Sequence, residues 1–156
     1  SDAQVSVWLA LSDASEASGC MHMIPGSHKH GQQKHHNTQD NNNVLLSGQT
    51  INDIDPNQSI AASLKAGQAS FHHGWTIHCS QPNLTSDRRI GLNIQYISPA
   101  VKQLKQQQDS AMLVRGVDHY GHFQTDQPAQ SNFDSKAWQK QKALDDKLKG
   151  IQGNTT

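Results

Sequence analysis

The segment at 69–97, "ASFHHGWTIHCSQPNLTSDRRIGLNIQYI", concentrates side chains that bind metal ions and carboxylates. His78 follows a short apolar stretch and precedes "CSQPN", so we expect it at the end of a strand that opens into a loop. A neutral imidazole placed there binds a transition metal through one nitrogen while an acceptor holds the other N–H. A histidine without a ligand role is the commoner case, so the residues that follow His78 carry the argument.

Ser80 and one of two arginines complete the chemistry that the segment suggests. Ser80 lies two residues after His78 and shares its face of an extended strand, whereas Cys79 is expected to point away from the metal. Arg89 enters the next strand, where a hairpin would return it towards His78. A guanidinium that points into a barrel needs an anion, and its fork suits a carboxylate. These residues predict a small dicarboxylic acid held by Ser80 and an arginine at one end and by the metal at the other.

The alternation of side chains along a strand does not decide which of the two arginines points inward. The alternation of apolar and polar residues over 90–97 assigns Arg88 and Arg89 to opposite faces of the strand. It does not say which of those faces is the interior. For one of the two, a surface position on the hairpin is the correct interpretation.

Short strands separated by turns would have to position these groups. "VSVWLAL" at 5–11 is nearly continuous in apolar residues and predicts a strand that is buried on both faces. Residues 29–43 are polar and predict a long surface loop, and Pro25-Gly26 predicts a turn. The other predicted strands are 20–28, 44–48, 59–67, 69–78 with a break at Gly74, and 90–97. With one terminal helix, this pattern favours a β-sandwich or a jelly-roll barrel.

The C-terminal helix is predicted over about 135–149. Asp134 or Ser135 would cap its first turn, and Gly150 would end it. Its apolar residues fall on one helical face: Trp138, Leu144, Leu148 and Ile151. We therefore expect an amphipathic helix in a C-terminal extension.

The amino-acid composition indicates which kind of molecule the protein binds. The chain has 156 residues, 33% of them hydrophobic and 5% aromatic, so one domain with a modest core is expected. Thirteen basic residues balance 13 acidic ones, which argues against nucleic acid or an anionic membrane and favours a small-molecule substrate. No apolar stretch approaches the length of a membrane span, and no signal peptide is evident, so a cytoplasmic protein with free thiols is expected. A Gly-x-Ser-x-Gly elbow, the usual mark of a serine hydrolase of the α/β type, is absent from the sequence.

Three stretches together resemble the phytanoyl-CoA dioxygenase family of iron(II)- and 2-oxoglutarate-dependent oxygenases. They are "VSVWLALSDASEASGCMHMIPGSHKHG", "GQASFHHGWTIHCSQPN" and "DRRIGLNIQYISP", within about residues 4–125. "AMLVRGVDHYGHF" is similar to the bacterial members. The resemblance implies a double-stranded β-helix (jelly roll, cupin-like), here as a partial oxygenase domain over 1–125, followed by a C-terminal extension over 126–156.

The resemblance also implies roles for individual residues and a reaction. His78 would be the distal iron ligand, and Arg89, favoured over Arg88 by the family spacing, would bind the 2-oxoglutarate carboxylate with support from Ser80 and Trp8. No catalytic side chain is implied beyond these ligands. Iron(II), 2-oxoglutarate and molecular oxygen would together hydroxylate a C–H bond of a small organic substrate.

One family motif is missing from the sequence. The first two iron ligands form a His-x-Asp motif on the strand that precedes the one beginning here at Val5, and the chain contains neither His-x-Asp nor His-x-Glu. The 2-His-1-carboxylate triad is therefore incomplete. We expect the N-terminal part of the domain to be absent, the chain alone to be inactive, and the unpaired sheet edge to allow self-association. Because chlorinating relatives replace the carboxylate of this motif with a small residue, a halogenase is an open alternative.

Further histidines allow a third interpretation. His28 and His30 share a face if extended, which is a cupin-like way to offer two metal ligands and would suit a non-catalytic binding module. The resemblance instead places His28 in the "PGSH" turn beside the substrate. His73 is a candidate for lining the substrate cavity, with a packed or hydrogen-bonded histidine as the alternative. The other histidines considered are expected to be structural or loop residues: His30, His35, His36, His119 and His122.

Overall fold

The protein is mainly β, with one long helix at its C-terminal end. The structure, a computed structural model, describes residues 3–37, 49–104 and 109–153. Its strands are β1 (Gln4–Ala10), β2 (Met21–Met23), β3 (His36–Asn37), β4 (Gln49–Thr50), β5 (Ile60–Ala62), β6 (Ala69–His73), β7 (His78–Ser80), β8 (Gly91–Ile97), β9 (Ser110–Ala111) and β10 (Gln124–Thr125). Two 3-10 helices cover Ser27–His30 and Pro56–Gln58, and helix α1 covers Ser135–Gly153.

The described residues form two compact units. The first contains the residues up to Lys34 together with Asp53–Ser98, and the second contains His35–Asn52 and the chain from Pro99 onward. The residues predicted to do chemistry all belong to the first unit. The domain boundary expected near residue 125 stays a prediction.

The first sheet has β1 at its centre, with β6 and β8 as antiparallel neighbours. Because opposite residues in an antiparallel pair share a face, the register divides the sheet into two different faces. One face is largely polar and carries Ser6, Trp8, Ser70, His72, Asn93 and Gln95. The other is largely apolar and carries Val5, Val7, Leu9, Phe71, Leu92, Ile94 and Tyr96. The polar face is the one that matters for the site.

The strand predicted at 5–11 is confirmed as β1, but its predicted burial on both faces is only partly correct. Val7 is 6% exposed, whereas Val5 is 43% exposed and Phe71, on the same face, is 74% exposed. An apolar run indicates that a strand tolerates burial, and the elements that pack over each face decide how much burial it receives.

The second sheet has the order β5-β2-β7 and carries His78 at the first position of β7. Met23 lies opposite His78 and Met21 lies opposite Ser80, so these four side chains share one face. Cys79 pairs with His22 on the other face, which is the orientation expected for it. The segment 20–28, predicted as one strand with a turn, has a strand only at Met21–Met23, followed by the 3-10 helix.

Among the residues whose burial the structure describes, the buried apolar ones are few and mostly small, in agreement with the modest core expected. They are Val7, Ala10, Ala14, Cys20 and Met21. A buried hydroxyl joins the 3-10 helix to the stretch before β7, because Ser27 Oγ donates to the Ile24 carbonyl at 2.8 Å and accepts from the Ile77 amide at 2.9 Å. This pair of bonds helps to place His78, the next residue after Ile77.

The second unit contains the strand pairs β3–β4 and β9–β10, and helix α1. Asp134 caps the helix, since its carboxylate accepts hydrogen bonds from the amides of Lys136 and Ala137. The hydrogen bond from the Gln130 amide, followed by those from Ala137 and Lys136, holds the pKa of the Asp134 carboxyl below its usual range. The helix continues past Gly150, and Trp138 is 72% exposed, so that part of its apolar face is open. Within the described ranges, no helix combines the length and apolar character needed to span a bilayer.

Candidate functional site

Three of the predicted site residues lie together in the first unit, although they come from distant parts of the chain. Arg89 Nη1 donates a hydrogen bond to Ser80 Oγ at 3.3 Å. Arg89 Cζ also lies 5.4 Å from the centroid of the Trp8 ring, within the range of a cation–π contact. Among the described residues, the ion pairs are Lys65–Asp13 and Lys140–Asp126, so Arg89 has no carboxylate partner there. This half-buried guanidinium is therefore available to an anion.

The inward orientation of Arg89 follows from how the chain enters β8. Ser12, just after β1, accepts a hydrogen bond from the Ile90 amide at 2.7 Å and donates to the Arg88 carbonyl at 3.2 Å. These bonds fix the backbone on both sides of Arg89. The Arg88 side chain is exposed, as expected for the surface member of the pair.

Gly91 makes room for the Trp8 indole. A Cβ atom added at Gly91 would lie 2.1 Å from Trp8 Cζ2 and 2.3 Å from Cε2, far inside van der Waals contact. The six-membered ring of Trp8 thus lies directly over the Gly91 backbone, with the Arg89 guanidinium nearby. Glycine at this strand position is required by the close approach of the ring.

We expect Gly91→Ala to displace the Trp8 indole and to weaken its contact with the Arg89 guanidinium. Overpacking of this kind costs about 1–3 kcal/mol in the free energy of unfolding, which urea denaturation measures. The matched comparison is the same substitution in a Trp8→Leu background, where the clash with the benzo ring is gone. Gly91→Ala should then cost clearly less; an equal loss in both backgrounds would show that the ring contact is not the cause.

His78 has the hydrogen-bonding arrangement of a metal ligand. Its Nδ1 atom lies 2.8 Å from the Thr76 carbonyl oxygen. A carbonyl only accepts, so Nδ1 carries the proton and Nε2 keeps its lone pair for a metal ion. The residue is exposed at the start of β7. Among the described residues, no group of three or more His, Cys, Asp or Glu side chains is close enough to enclose an ion. The role of His78 as a metal ligand stays a prediction.

His72 joins this site although the sequence did not indicate it. Its ring centroid lies 5.4 Å from that of His78, and pairing with β1 puts it on the same face as Ser6 and Trp8. Burial lowers the pKa of the His72 imidazole, and the nearby His78 lowers it further. His72 is therefore a neutral imidazole beside the candidate metal ligand. Its role depends on a strand pairing that spans more than 60 residues, which no local pattern reveals.

His28 and His73 form a separate contact. Their rings stack with centroids 5.3 Å apart, and the His73 ring also lies 5.3 Å from that of Trp75. His73 Nδ1 accepts a hydrogen bond from the Trp75 amide at 3.0 Å, so it is a packed and hydrogen-bonded histidine. Whether it and His28 line the substrate cavity stays a prediction. In the described part of the chain, His28 and His30 do not belong to a three-ligand metal cluster.

Comparison with known proteins identifies the family. The model of the phytanoyl-CoA dioxygenase family matches residues 1–91, which include Trp8, His78, Ser80 and Arg89. The chain belongs to the phytanoyl-CoA dioxygenase family. A curated "Phytanoyl-CoA dioxygenase" of Arabidopsis thaliana is 31% identical over 91 residues, which are 58% of this chain and 31% of that protein.

Solved structures of non-heme enzymes share the fold. The apo form of the non-heme monooxygenase ThoJ is 34% identical with a TM-score of 0.79, over 97% of this chain and 54% of ThoJ. A nickel complex of ThoJ is also similar, with a TM-score of 0.71. EvdO2 of Micromonospora carbonacea var. aurantiaca, complexed with 2-oxoglutarate, is 34% identical with a TM-score of 0.55, over 61% of this chain and 38% of EvdO2. The chain thus spans about a third of the Arabidopsis relative and about half of ThoJ.

Proposed function

We propose that this chain provides the distal histidine and the co-substrate clamp of an iron(II)- and 2-oxoglutarate-dependent oxygenase that hydroxylates a small organic substrate. The observation that carries the proposal is the half-buried Arg89, held by Ser80 and Trp8 without a carboxylate partner among the described residues. It is supported by His78, which lies on the same face of β7 as Ser80. The double-stranded β-helix expected for the family would place both sheets of the first unit around the site.

The two anchoring points are assigned to successive positions on one face of the strands. His78 and Ser80 are two residues apart on β7, and a strand advances by about 6.6 Å over two residues. On β1 the same two-residue spacing separates Ser6 from Trp8. The residues opposite these two on β6 are His72 and Ser70. The site therefore has two levels, a metal level at His78 and a clamp level at Arg89. We propose that 2-oxoglutarate joins these two levels.

Each residue then has a defined task. His78 would hold iron through Nε2 while the Thr76 carbonyl fixes the tautomer through Nδ1–H. Arg89 would pair with the distal carboxylate through its planar fork, with Ser80 and the Trp8 ring holding the guanidinium in place. Bound iron with 2-oxoglutarate and oxygen supplies the oxidation of the substrate C–H bond. The surrounding walls serve to limit access of water to that chemistry.

Metal-dependent binding of 2-oxoglutarate tests the proposal. Titration calorimetry with 2-oxoglutarate, under Ni(II) and in its absence, compares this chain with the same chain extended upstream to the start codon of its gene, where the remaining iron ligands are expected. The extended protein should show binding that requires the metal. Succinate, which lacks the keto group needed for chelation, should bind much more weakly under Ni(II). Absence of 2-oxoglutarate binding by the extended protein, or binding that does not depend on the metal, would contradict the proposal.

A further inference from the structure

Two buried polar atoms on β6 lack a partner in the described part of the chain. They are Ser70 Oγ and His72 Nδ1, each with almost no accessible surface. Buried polar groups in folded proteins are nearly always hydrogen-bonded, because leaving one unpaired is costly. Two such atoms on the same face of one short strand therefore indicate a partner that the described residues do not supply.

The polar side chains next to them on β1 and β8 already form hydrogen bonds with one another. Ser6 Oγ donates to Gln95 Oε1 at 2.7 Å, and Gln4 Nε2 donates to the same oxygen at 2.6 Å. Gln95 Nε2 in turn donates to Asn93 Oδ1 at 3.2 Å. This network links β1 and β8 along the polar face and leaves His72, opposite Ser6, outside it.

The two atoms coincide with the two levels of the candidate site. Ser70 lies opposite Trp8, whose ring contacts Arg89, so Ser70 is at the clamp level. His72 lies beside His78, with ring centroids 5.4 Å apart, so it is at the metal level. A molecule that extends from His78 to Arg89 would therefore pass along Ser70 and His72.

We propose that Ser70 and His72 are co-substrate-binding residues, with His72 Nδ1–H donating to the carboxylate of 2-oxoglutarate that chelates the metal and Ser70 Oγ–H donating nearer the clamped end. The inference rests on the proposed function and adds two residues of β6 to the same site. A carboxylate only accepts hydrogen bonds, so His72 must carry its proton on Nδ1. Direct ligation by His72 is the less suitable arrangement, because a further protein ligand would occupy a position that co-substrate and oxygen need.

Variants at position 72 test the bond without relying on turnover. In the protein extended upstream to its start codon, titration of 2-oxoglutarate under Ni(II) should give a dissociation constant about 10- to 100-fold higher for His72→Leu than for wild type, as expected for loss of a hydrogen bond to a charged group. His72→Asn, whose amide nitrogen lies near the position of Nδ1, should restore most of the affinity. Ser70→Ala should raise the dissociation constant by a smaller factor. His72→Phe keeps a planar ring and replaces His72→Leu if that variant fails to fold.

A matched control comes from the opposite face of the second sheet. His22→Leu removes an imidazole from β2, where His22 pairs with Cys79 and faces away from His78, and it should leave 2-oxoglutarate binding unchanged. Ni(II) affinity without 2-oxoglutarate should be the same in His72→Leu and wild type. Loss of Ni(II) binding in His72→Leu would show that His72 is a metal ligand and would overturn the inference.

The outcomes separate the inference from the function on which it rests. Wild-type binding of 2-oxoglutarate that is unaffected by His72→Leu or His72→Phe overturns the inference and leaves the proposed function standing. An extended wild-type protein that does not bind 2-oxoglutarate under Ni(II) overturns both. A selective loss in His72→Leu with recovery in His72→Asn supports both.

Discussion

Replacing Arg89 with alanine is expected to weaken 2-oxoglutarate binding by about 30- to 300-fold, or about 2–3.4 kcal/mol. Arg89 is the half-buried cation that contacts Ser80 and Trp8, so its removal leaves the distal carboxylate without a charged partner. Arg89→Lys keeps the charge but loses the planar fork, and should recover only part of the affinity. Calorimetric titration under Ni(II) measures all of these dissociation constants.

Arg88→Ala is the matched control for this prediction. It removes the same side chain from the adjacent, exposed position, and should change the dissociation constant by less than about threefold, in line with a solvent-screened surface charge. Equal losses in the two variants would indicate a general electrostatic effect and would reject the assignment of Arg89 as the clamp. A loss only in Arg88→Ala would mean that the other arginine binds the carboxylate.

Replacing His78 with alanine is expected to lower Ni(II) or Fe(II) affinity by at least about 100-fold, because loss of a direct ligand should exceed the 10- to 100-fold effect of losing its supporting partner. Metal-dependent 2-oxoglutarate binding should disappear with it. Anaerobic metal titration, followed by addition of 2-oxoglutarate, measures both effects. His22→Ala, on the other face of the same sheet, should leave both affinities unchanged.

The same titration separates the oxygenase from a cupin-like binding module. If His28 and His30 formed the metal site, a variant with both replaced by alanine would lose metal while His78→Ala would keep it. The stacking of His28 on His73 and the hydrogen bond from His78 to the Thr76 carbonyl favour the opposite result. Retained metal affinity in His78→Ala would require a different function for this chain.

Local sequence was sufficient to predict several elements and to propose a chemistry for the candidate site. The alternation over 90–97 marks β8, and the apolar run at 5–11 marks β1, because side chains alternate between the faces of a strand. The two-residue spacing of His78 and Ser80 places them on one face for the same reason. The residue types predicted a metal ion at His78 and a bound carboxylic acid. The resemblance of three stretches to a known family selected Arg89 over Arg88 and added Trp8.

Only the tertiary structure decided which of these groups meet and what else joins them. The place of Arg89 depends on hydrogen bonds from Ser12, far away in sequence, and the space for Trp8 depends on Gly91 in a neighbouring strand. His72 enters the site because β6 pairs with β1 and its ring lies against that of His78. Strand periodicity tells which residues of one strand share a face, but pairing between distant segments and the packing over each face determine which faces meet.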